Sequence, residues 1–129
     1  MDPVEIVKAA YAAILDRGDL EGFLAFFAED GALLEADSLP YGGRFVGADA
    51  IRAALMQVVE TFSEFSFKPD VFATSGEWVI AYGTFAVTVR STGKKVSFPL
   101  AEATLVVDGK IKLINPVYSD TAAILAALK

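Results

Sequence analysis

Glu35 is the residue whose type and surroundings are best suited to chemistry. It lies between Leu34 and Ala36 in a short, largely apolar segment, where an unpaired carboxylate is costly unless it is partly solvated, hydrogen-bonded or protonated. Desolvation would raise its pKa, which suits a general base or acid that works near neutral pH. The alternatives are an exposed Glu35 on the other face of the strand, or a Glu35 paired with Arg44.

Tyr11 and Asp37 are candidates to act with Glu35. Tyr11 lies on the apolar face of the first predicted helix, where its hydroxyl could donate a hydrogen bond to a developing oxyanion. It could equally be a core tyrosine whose hydroxyl reaches a backbone carbonyl. Asp37 follows Glu35 by two residues and shares its strand parity, so both carboxylates could face one cavity, where their repulsion would raise one pKa further.

The composition excludes several other kinds of site. The 129 residues include no Cys and no His, which rules out disulfides, cysteine nucleophiles, zinc sites built from Cys or His, and serine nucleophiles activated by histidine. Acid/base chemistry must therefore come from Asp, Glu, Tyr or Lys. The glycine spacing fits no phosphate loop and no calcium loop is recognisable, so we expect a site without cofactor or metal.

Charge and hydropathy limit the partners. With 11 Lys and Arg against 17 Asp and Glu, the net charge is −6, so binding to nucleic acid or to an anionic membrane is not expected. The mean hydropathy of +0.47 is high, but the apolar runs are far shorter than the ~20 residues of a membrane-spanning helix. No signal peptide is visible after Met1, and a cytoplasmic protein is predicted.

The spacing of apolar residues predicts an α+β fold in a single domain over residues 1–129. Helical periodicity indicates helices over 2–17, 19–27 and 47–60 and a short one over 120–128, with a strand over 32–36. Beyond Phe62 the period falls to two, and Asp108-Gly109 is a strong hairpin signal. We therefore expect three N-terminal helices packed on a strongly curved antiparallel sheet that encloses a cone-shaped pocket, followed by a short C-terminal helix.

Several segments carry a resemblance to a known superfamily. They are Arg17-Gly18-Asp19-Leu20-Glu21-Gly22-Phe23 between two helices, the loop from Leu39 to Gly47, the strand Phe98-Pro99-Leu100-Ala101-Glu102, and the end Tyr118-Ser119-Asp120-Thr121-Ala122. Together they resemble the nuclear transport factor 2-like superfamily, and within it the SnoaL-like and ketosteroid isomerase-related bacterial proteins. The resemblance implies a cystatin-like roll.

The resemblance also implies roles for particular residues. The helix-one tyrosine of the ketosteroid isomerases falls on Tyr11 and their carboxylate base on Glu35. Their second oxyanion donor, an aspartic acid, falls on Ala101, which cannot donate. The neighbouring acid, Glu102, has the opposite strand parity, so we expect it to lie on the outer face of the sheet.

The pocket implied by the resemblance would hold a small apolar carbonyl or polycyclic compound. Its candidate lining residues, which could equally be ordinary core, are Phe26, Phe27, Leu55, Phe62, Trp78, Tyr82, Ala101, Asn115 and Tyr118.

Two functions remain open from the sequence. One is a cofactor-free isomerase or cyclase in which Glu35 or Asp37 abstracts a proton from carbon and Tyr11 stabilises the resulting charge. The other is a non-catalytic ligand-binding or dimerisation module, which could be an engineered scaffold. A homodimer through the outer face of the sheet is expected in each case, because alternate apolar residues such as Val96, Phe98 and Leu100, or their opposite-parity neighbours, would otherwise be exposed.

Overall fold

The computed structural model describes residues 1–129, which form four α-helices and six strands. The helices are α1 (Pro3–Tyr11), α2 (Leu20–Leu24), α3 (Ala48–Thr61) and α4 (Thr121–Ala127). The strands are β1 (Phe27–Glu35), β2 (Gly43–Val46), β3 (Phe62–Ser75), β4 (Trp78–Val89), β5 (Lys95–Val107) and β6 (Lys110–Tyr118).

Aspartates cap three of the helices. The side chains of Asp2, Asp19 and Asp120 each accept a hydrogen bond from the backbone N–H three residues on, at 2.9 to 3.0 Å. Such caps satisfy donors that a helix start leaves free. The first two helices are shorter than predicted: α1 gives way after Tyr11 to a π-helical turn over Ala12–Asp16, and α2 ends at Leu24.

The strands form one sheet in the order β2-β1-β6-β5-β4-β3. Strands β3 to β6 pair as the predicted antiparallel meander, whereas β1 pairs parallel to β6. β2, which the sequence analysis did not predict, pairs antiparallel to the other side of β1. Because β1 and β2 precede α3 in the chain, the three helices before β3 are not consecutive elements.

The sheet curves around the helices. Register shifts interrupt β3 between Phe62 and Glu64 and between Pro69 and Val71, and such bulges bend a strand and increase its twist. At the second bulge, Gly83 of β4 lies so close to β3 that a Cβ there would overlap the backbone carbonyl of Lys68. Glycine is therefore required where β3 and β4 bend together.

The two faces of the sheet differ in burial. Along β4, Val79, Ala81, Phe85 and Val87 are buried on the concave face, which the helices cover. The intervening side chains, such as Tyr82, are exposed on the convex face. No helix is long and apolar enough to cross a membrane.

Candidate functional site

A cavity of about 350 Å³ lies between the helices and the concave face of the sheet. Such a volume is sufficient for a small organic ligand. Of its 20 lining residues 16 are hydrophobic, so a guest would contact mostly apolar side chains. The helices, the π-helical turn and the loop before α2 contribute Tyr11, Ile14, Leu15, Gly18, Leu20, Phe23, Leu55, Met56, Val58 and Val59, and the sheet contributes Leu33, Glu35, Phe65, Phe67, Phe85, Leu100, Glu102, Ile114, Pro116 and Tyr118.

Glu35, Tyr118 and Tyr41 form a hydrogen-bonded group that we term the Glu35 cluster. Glu35 is the last residue of β1 and is only 6% exposed. The Tyr118 hydroxyl donates to Glu35 Oε1 at 3.0 Å, and the hydroxyls of Tyr118 and Tyr41 are 2.9 Å apart. Burial raises the pKa of Glu35 to about 8; the Tyr118 hydrogen bond opposes this shift and the negative charge of Glu102 adds to it.

Glu102, Tyr11 and Thr104 form a second group, the Glu102 cluster. Burial raises the pKa of Glu102 to about 7, although the nearby Tyr11 hydroxyl opposes the shift. Burial, together with the charge of Glu102, also holds the pKa of Tyr11 well above its usual value. The Tyr11 hydroxyl lies near the Glu102 carboxyl and the Thr104 hydroxyl, but the hydroxyls of Tyr11 and Thr104, both buried, make no hydrogen bond of good geometry. This cluster therefore retains unused hydrogen-bonding capacity beside the cavity.

The two carboxyl groups lie in one row across the sheet. Glu102 is paired with Pro116 across β5 and β6, and extending the parallel register of Leu33 and Ile114 by two residues places Glu35 beside Pro116 on the other side. Two interstrand spacings separate their backbones, which is roughly 10 Å. The apolar ring of Pro116 thus lies between two acids that share a cavity.

This combination of fold and cavity agrees with the match to known sequences. A family model described as the SnoaL-like domain matches residues 7–114. The chain belongs to this SnoaL-like family. None of the curated proteins compared with the chain matches it significantly.

Solved structures share the fold of this SnoaL-like chain over nearly its whole length. An NTF2-like protein from Burkholderia thailandensis has 29% sequence identity and a TM-score of 0.91, with 100% of this chain and 98% of that chain covered. A protein from Xanthomonas campestris, provisionally assigned as a polyketide cyclase, has 25% identity and a TM-score of 0.82 over 98% and 96%.

A third structure, from Catenulispora acidiphila, is described as having a ketosteroid isomerase-like fold. It has 18% identity and a TM-score of 0.81, with 98% of this chain and 93% of that chain covered. At this identity the likeness concerns the fold. The α+β roll expected from the sequence is therefore confirmed for this SnoaL-like domain.

The expectation that Glu102 leaves the pocket is wrong. Phe98, Leu100 and Thr104 are buried on the concave face, and Glu102, with the same parity, lines the cavity between them. Ala101, which the resemblance placed at the second donor position, has the opposite parity and does not line the cavity. The SnoaL-like chain therefore has an acid near the second donor position, one residue beyond the expected one.

Four of the residues proposed from the sequence do line the cavity: Tyr11, Glu35, Leu55 and Tyr118. Asp37 does not, because β1 ends at Glu35 and Asp37 lies in the exposed turn that follows. Glu35 is not paired with Arg44, whose side chain forms no salt bridge or hydrogen bond with it.

The remaining pocket candidates lie elsewhere. Trp78 and Tyr82 are 38% and 49% exposed on the convex face, and Asn115 shares that face because its neighbours Ile114 and Pro116 point into the cavity. Phe27 and Phe62 are buried core, and Phe26 is packed against that core. None of these six residues lines the cavity.

Sequence reasoning missed most of the aromatic lining and the Tyr41 hydroxyl. Phe23, Phe65, Phe67 and Phe85 line the cavity and have the parity or helical spacing of core residues, so no sequence signal separates them from simple core. No group of three or more acidic side chains could hold a metal ion.

Proposed function

We propose that this SnoaL-like protein is a cofactor-free isomerase or cyclase that moves a proton on carbon in a small, mostly apolar carbonyl compound. The observation that supports it is that Glu35 and Tyr11 border one apolar cavity. A carboxyl group with a raised pKa is suited to accept a proton from carbon near neutral pH.

Glu35 is the general base in this proposal. Its Oε1 atom accepts a hydrogen bond from Tyr118, which orients the carboxylate. The base takes a proton from a carbon adjacent to the substrate carbonyl, and the C–H electron pair forms the enolate. Return of the proton to a different carbon completes an isomerisation with no net oxidation.

Tyr11 and protonated Glu102 stabilise the enolate oxygen. The Tyr11 hydroxyl has no protein partner, so a substrate oxygen would satisfy it without breaking an existing bond. Burial raises the pKa of Glu102 to about 7 and that of Glu35 to about 8, so the competent form, with Glu35 ionised and Glu102 protonated, is a minor fraction of the singly protonated pair. Donors aimed at developing charge in a dry site typically contribute a large part of rate acceleration.

The neighbouring Xanthomonas structure, provisionally assigned as a polyketide cyclase, is consistent with this class of reaction. Cyclisation of a polycarbonyl chain also begins with removal of a proton next to a carbonyl. The apolar lining favours a cyclic or polycyclic substrate over a sugar or a nucleotide.

Hydrogen exchange tests the proposal without knowledge of the natural substrate. Cyclic enones and ketones of increasing size are incubated with the protein in D₂O, and deuterium incorporation next to the carbonyl is followed by NMR. We expect catalysed exchange in the wild type and at least roughly a 100-fold loss in Glu35→Gln.

Asp37→Asn is the matched control, because it also neutralises a carboxylate at the end of β1 but lies outside the cavity. It should exchange like the wild type. An unchanged rate in Glu35→Gln would overturn the proposed base. Tight binding of these ketones without exchange would instead establish the non-catalytic binding module.

We also infer that the protein forms a homodimer through the convex face of the sheet. Val71, Tyr82 and Val117 are about half exposed there, at 52%, 49% and 53%. The central convex positions of β4, β5 and β6 carry no charge, and Lys95 at the start of β5 lies at the edge of this area. They are Trp78, Ile80, Tyr82, Ala101, Ala103, Leu105, Leu113, Asn115 and Val117. An uncharged area at the centre of the face suits a two-fold contact with a second copy.

Sedimentation velocity at micromolar concentration tests the dimer. Tyr82→Glu, which places a charge near the centre of the face, should sediment as a monomer. Ala53→Glu on the exposed surface of α3 should remain dimeric. A monomeric wild type would contradict the inference.

A further inference from the structure

The only charged side chains that line the cavity are acidic. Its lining includes two ionisable acids, Glu35 and Glu102, and no Lys or Arg. Neither acid takes part in a salt bridge. Two carboxyl groups without a cation in an apolar space repel each other when ionised, so the empty cavity opposes the ionised form of both acids.

Aromatic rings surround this space. Six of the lining residues are aromatic: Tyr11, Phe23, Phe65, Phe67, Phe85 and Tyr118. They come from α1, α2 and three of the strands, β3, β4 and β6, so rings border the cavity on both the helix side and the sheet side. The faces of aromatic rings attract organic cations, most strongly where water is excluded.

We propose that this cavity binds lipophilic organic ammonium ions, with the apolar body among the aromatic rings and the charged nitrogen between Glu35 and Glu102. The cation would offset the repulsion between the two carboxylates, and its alkyl groups would match the apolar lining. Two acids whose backbones lie roughly 10 Å apart in the sheet row leave room between them for one nitrogen with its substituents. This ligand class lies outside the proposed carbonyl reaction and does not depend on it.

Binding of a cation must be linked to release of protons. The titratable groups that face the cavity are Glu35 from β1, Glu102 from β5, Tyr11 from α1 and Tyr118 from β6; α2, α3, β3 and β4 contribute none. Burial holds the pKa of both tyrosines far above neutral, so only the two acids ionise in the accessible range. Affinity for a permanent cation should therefore rise with pH as the acids lose their protons.

Two isosteric probes test the proposal. Benzyltrimethylammonium carries a permanent charge, and neopentylbenzene has the same shape without charge. Each is titrated into the ¹⁵N-labelled protein at pH 5.5 and pH 8.5, and chemical-shift changes at residues such as Phe85 and Leu100 locate binding to the cavity. We expect the affinity of the cation to rise at least about ten-fold between these pH values, whereas that of the neutral probe stays level or falls.

Variants assign the effect to the two acids. In the double variant Glu35→Gln with Glu102→Gln, the affinity of the cation should vary less than about two-fold with pH, and the neutral probe should still bind as a check of folding. Asp37→Asn, outside the cavity, should behave as the wild type. The proposal is overturned if the cation fails to bind in the cavity at pH 8.5, or if its affinity in the wild type does not depend on pH.

The readout separates this proposal from the proposed reaction. Probe binding requires no turnover, and hydrogen exchange requires no amine. Exchange without cation binding would overturn the ammonium site alone, and cation binding without exchange would overturn the enzyme alone.

Discussion

The Glu35 cluster and the Glu102 cluster border the same cavity, yet only the first is joined by hydrogen bonds between its side chains. Tyr41, Tyr118 and Glu35 form a chain of two hydrogen bonds, whereas the hydroxyls of Tyr11 and Thr104 have no partner. A completed chain fixes the position of a carboxylate, and an incomplete one retains capacity that a ligand can use. In the proposed reaction, Glu35 is therefore a base held in position by its hydrogen bond, and the Glu102 cluster supplies donors that a substrate oxygen can use.

The largest expected effect is the change in hydrogen-exchange rate when each acid is replaced in turn by glutamine. Glu35→Gln should lower the rate by roughly 10² to 10⁴-fold, because it removes the base. Glu102→Gln should lower it by roughly 10-fold, since an amide still donates to the enolate oxygen.

The pH profile sharpens the same comparison. Wild-type activity should peak between about pH 7 and 8, where the pair holds one proton, and the alkaline decline should disappear in Glu102→Gln. Equal losses in both variants, with the decline retained, would contradict the assigned roles.

Stability should fall as the pH rises through the pKa values of the two acids. Both are raised, to about 8 for Glu35 and about 7 for Glu102, so the protonated acids stabilise the folded state fully below their unfolded pKa near 4.5. That contribution is lost on passing through pH 7 to 8. Each pKa unit counts about 1.4 kcal/mol, so urea denaturation should give a free energy of unfolding lower by several kcal/mol, about 7 at most, at pH 8.5 than at pH 5.

The double variant Glu35→Gln with Glu102→Gln is the control for this effect. Its free energy of unfolding should change little over the same range. Glu21 and Asp30 are exposed and have lowered pKa values because of Arg52 and Lys112, so they act below pH 5. An equally steep decline in the double variant would assign the effect to other groups.

Removing a hydroxyl from each cluster should change stability in opposite directions. Tyr118→Phe deletes the group that bonds both Glu35 and Tyr41 and should lower the free energy of unfolding by roughly 1 to 3 kcal/mol. Tyr11→Phe deletes a buried hydroxyl without a partner and should leave it unchanged or raise it by up to about 1 kcal/mol. Urea titrations at pH 6 measure both changes. A clear loss of unfolding free energy in both variants would contradict the difference between the two clusters.

The smallest expected effect concerns Thr104. It is 1% exposed and its hydroxyl has no partner, so Thr104→Val should stabilise the protein by about 0.5 to 1 kcal/mol in thermal unfolding. Thr88→Val supplies the contrast, because the Thr88 hydroxyl donates to Glu64. A loss of stability in Thr104→Val would indicate that its hydroxyl has a partner after all.

The sequence determines most of the fold because its local signals agree. Asp2 and Asp120 cap the helices that begin where periodicity predicts them, and Asp108-Gly109 forms the last hairpin turn with both φ angles positive, at 51° and 77°, as such a turn requires. β2 escaped prediction because it has only four residues. Phe27 was placed in a helix because its helical spacing with Phe23 and Leu24 conceals the start of a strand.

The candidate site was harder to predict because both faces of the sheet are apolar. In β5, Leu100 points into the cavity while Ala101 and Leu105 lie on the convex face, so alternation of polar and apolar residues could not identify the inner face. The same ambiguity assigned Trp78 and Tyr82 to the pocket. Glu35 was found because an acid within an apolar strand is costly, and that cost does not depend on parity.

Pro116 separates Glu35 from Glu102 with a side chain that cannot pass a proton between them. Its ring lies in the row that joins Glu35 and Glu102 and provides neither a donor nor an acceptor for a proton relay. A proton that leaves one carboxyl group for the other must therefore travel through a substrate or a water molecule in the cavity. The two acids thus affect each other's charge across Pro116, while proton transfer between them depends on what occupies the cavity.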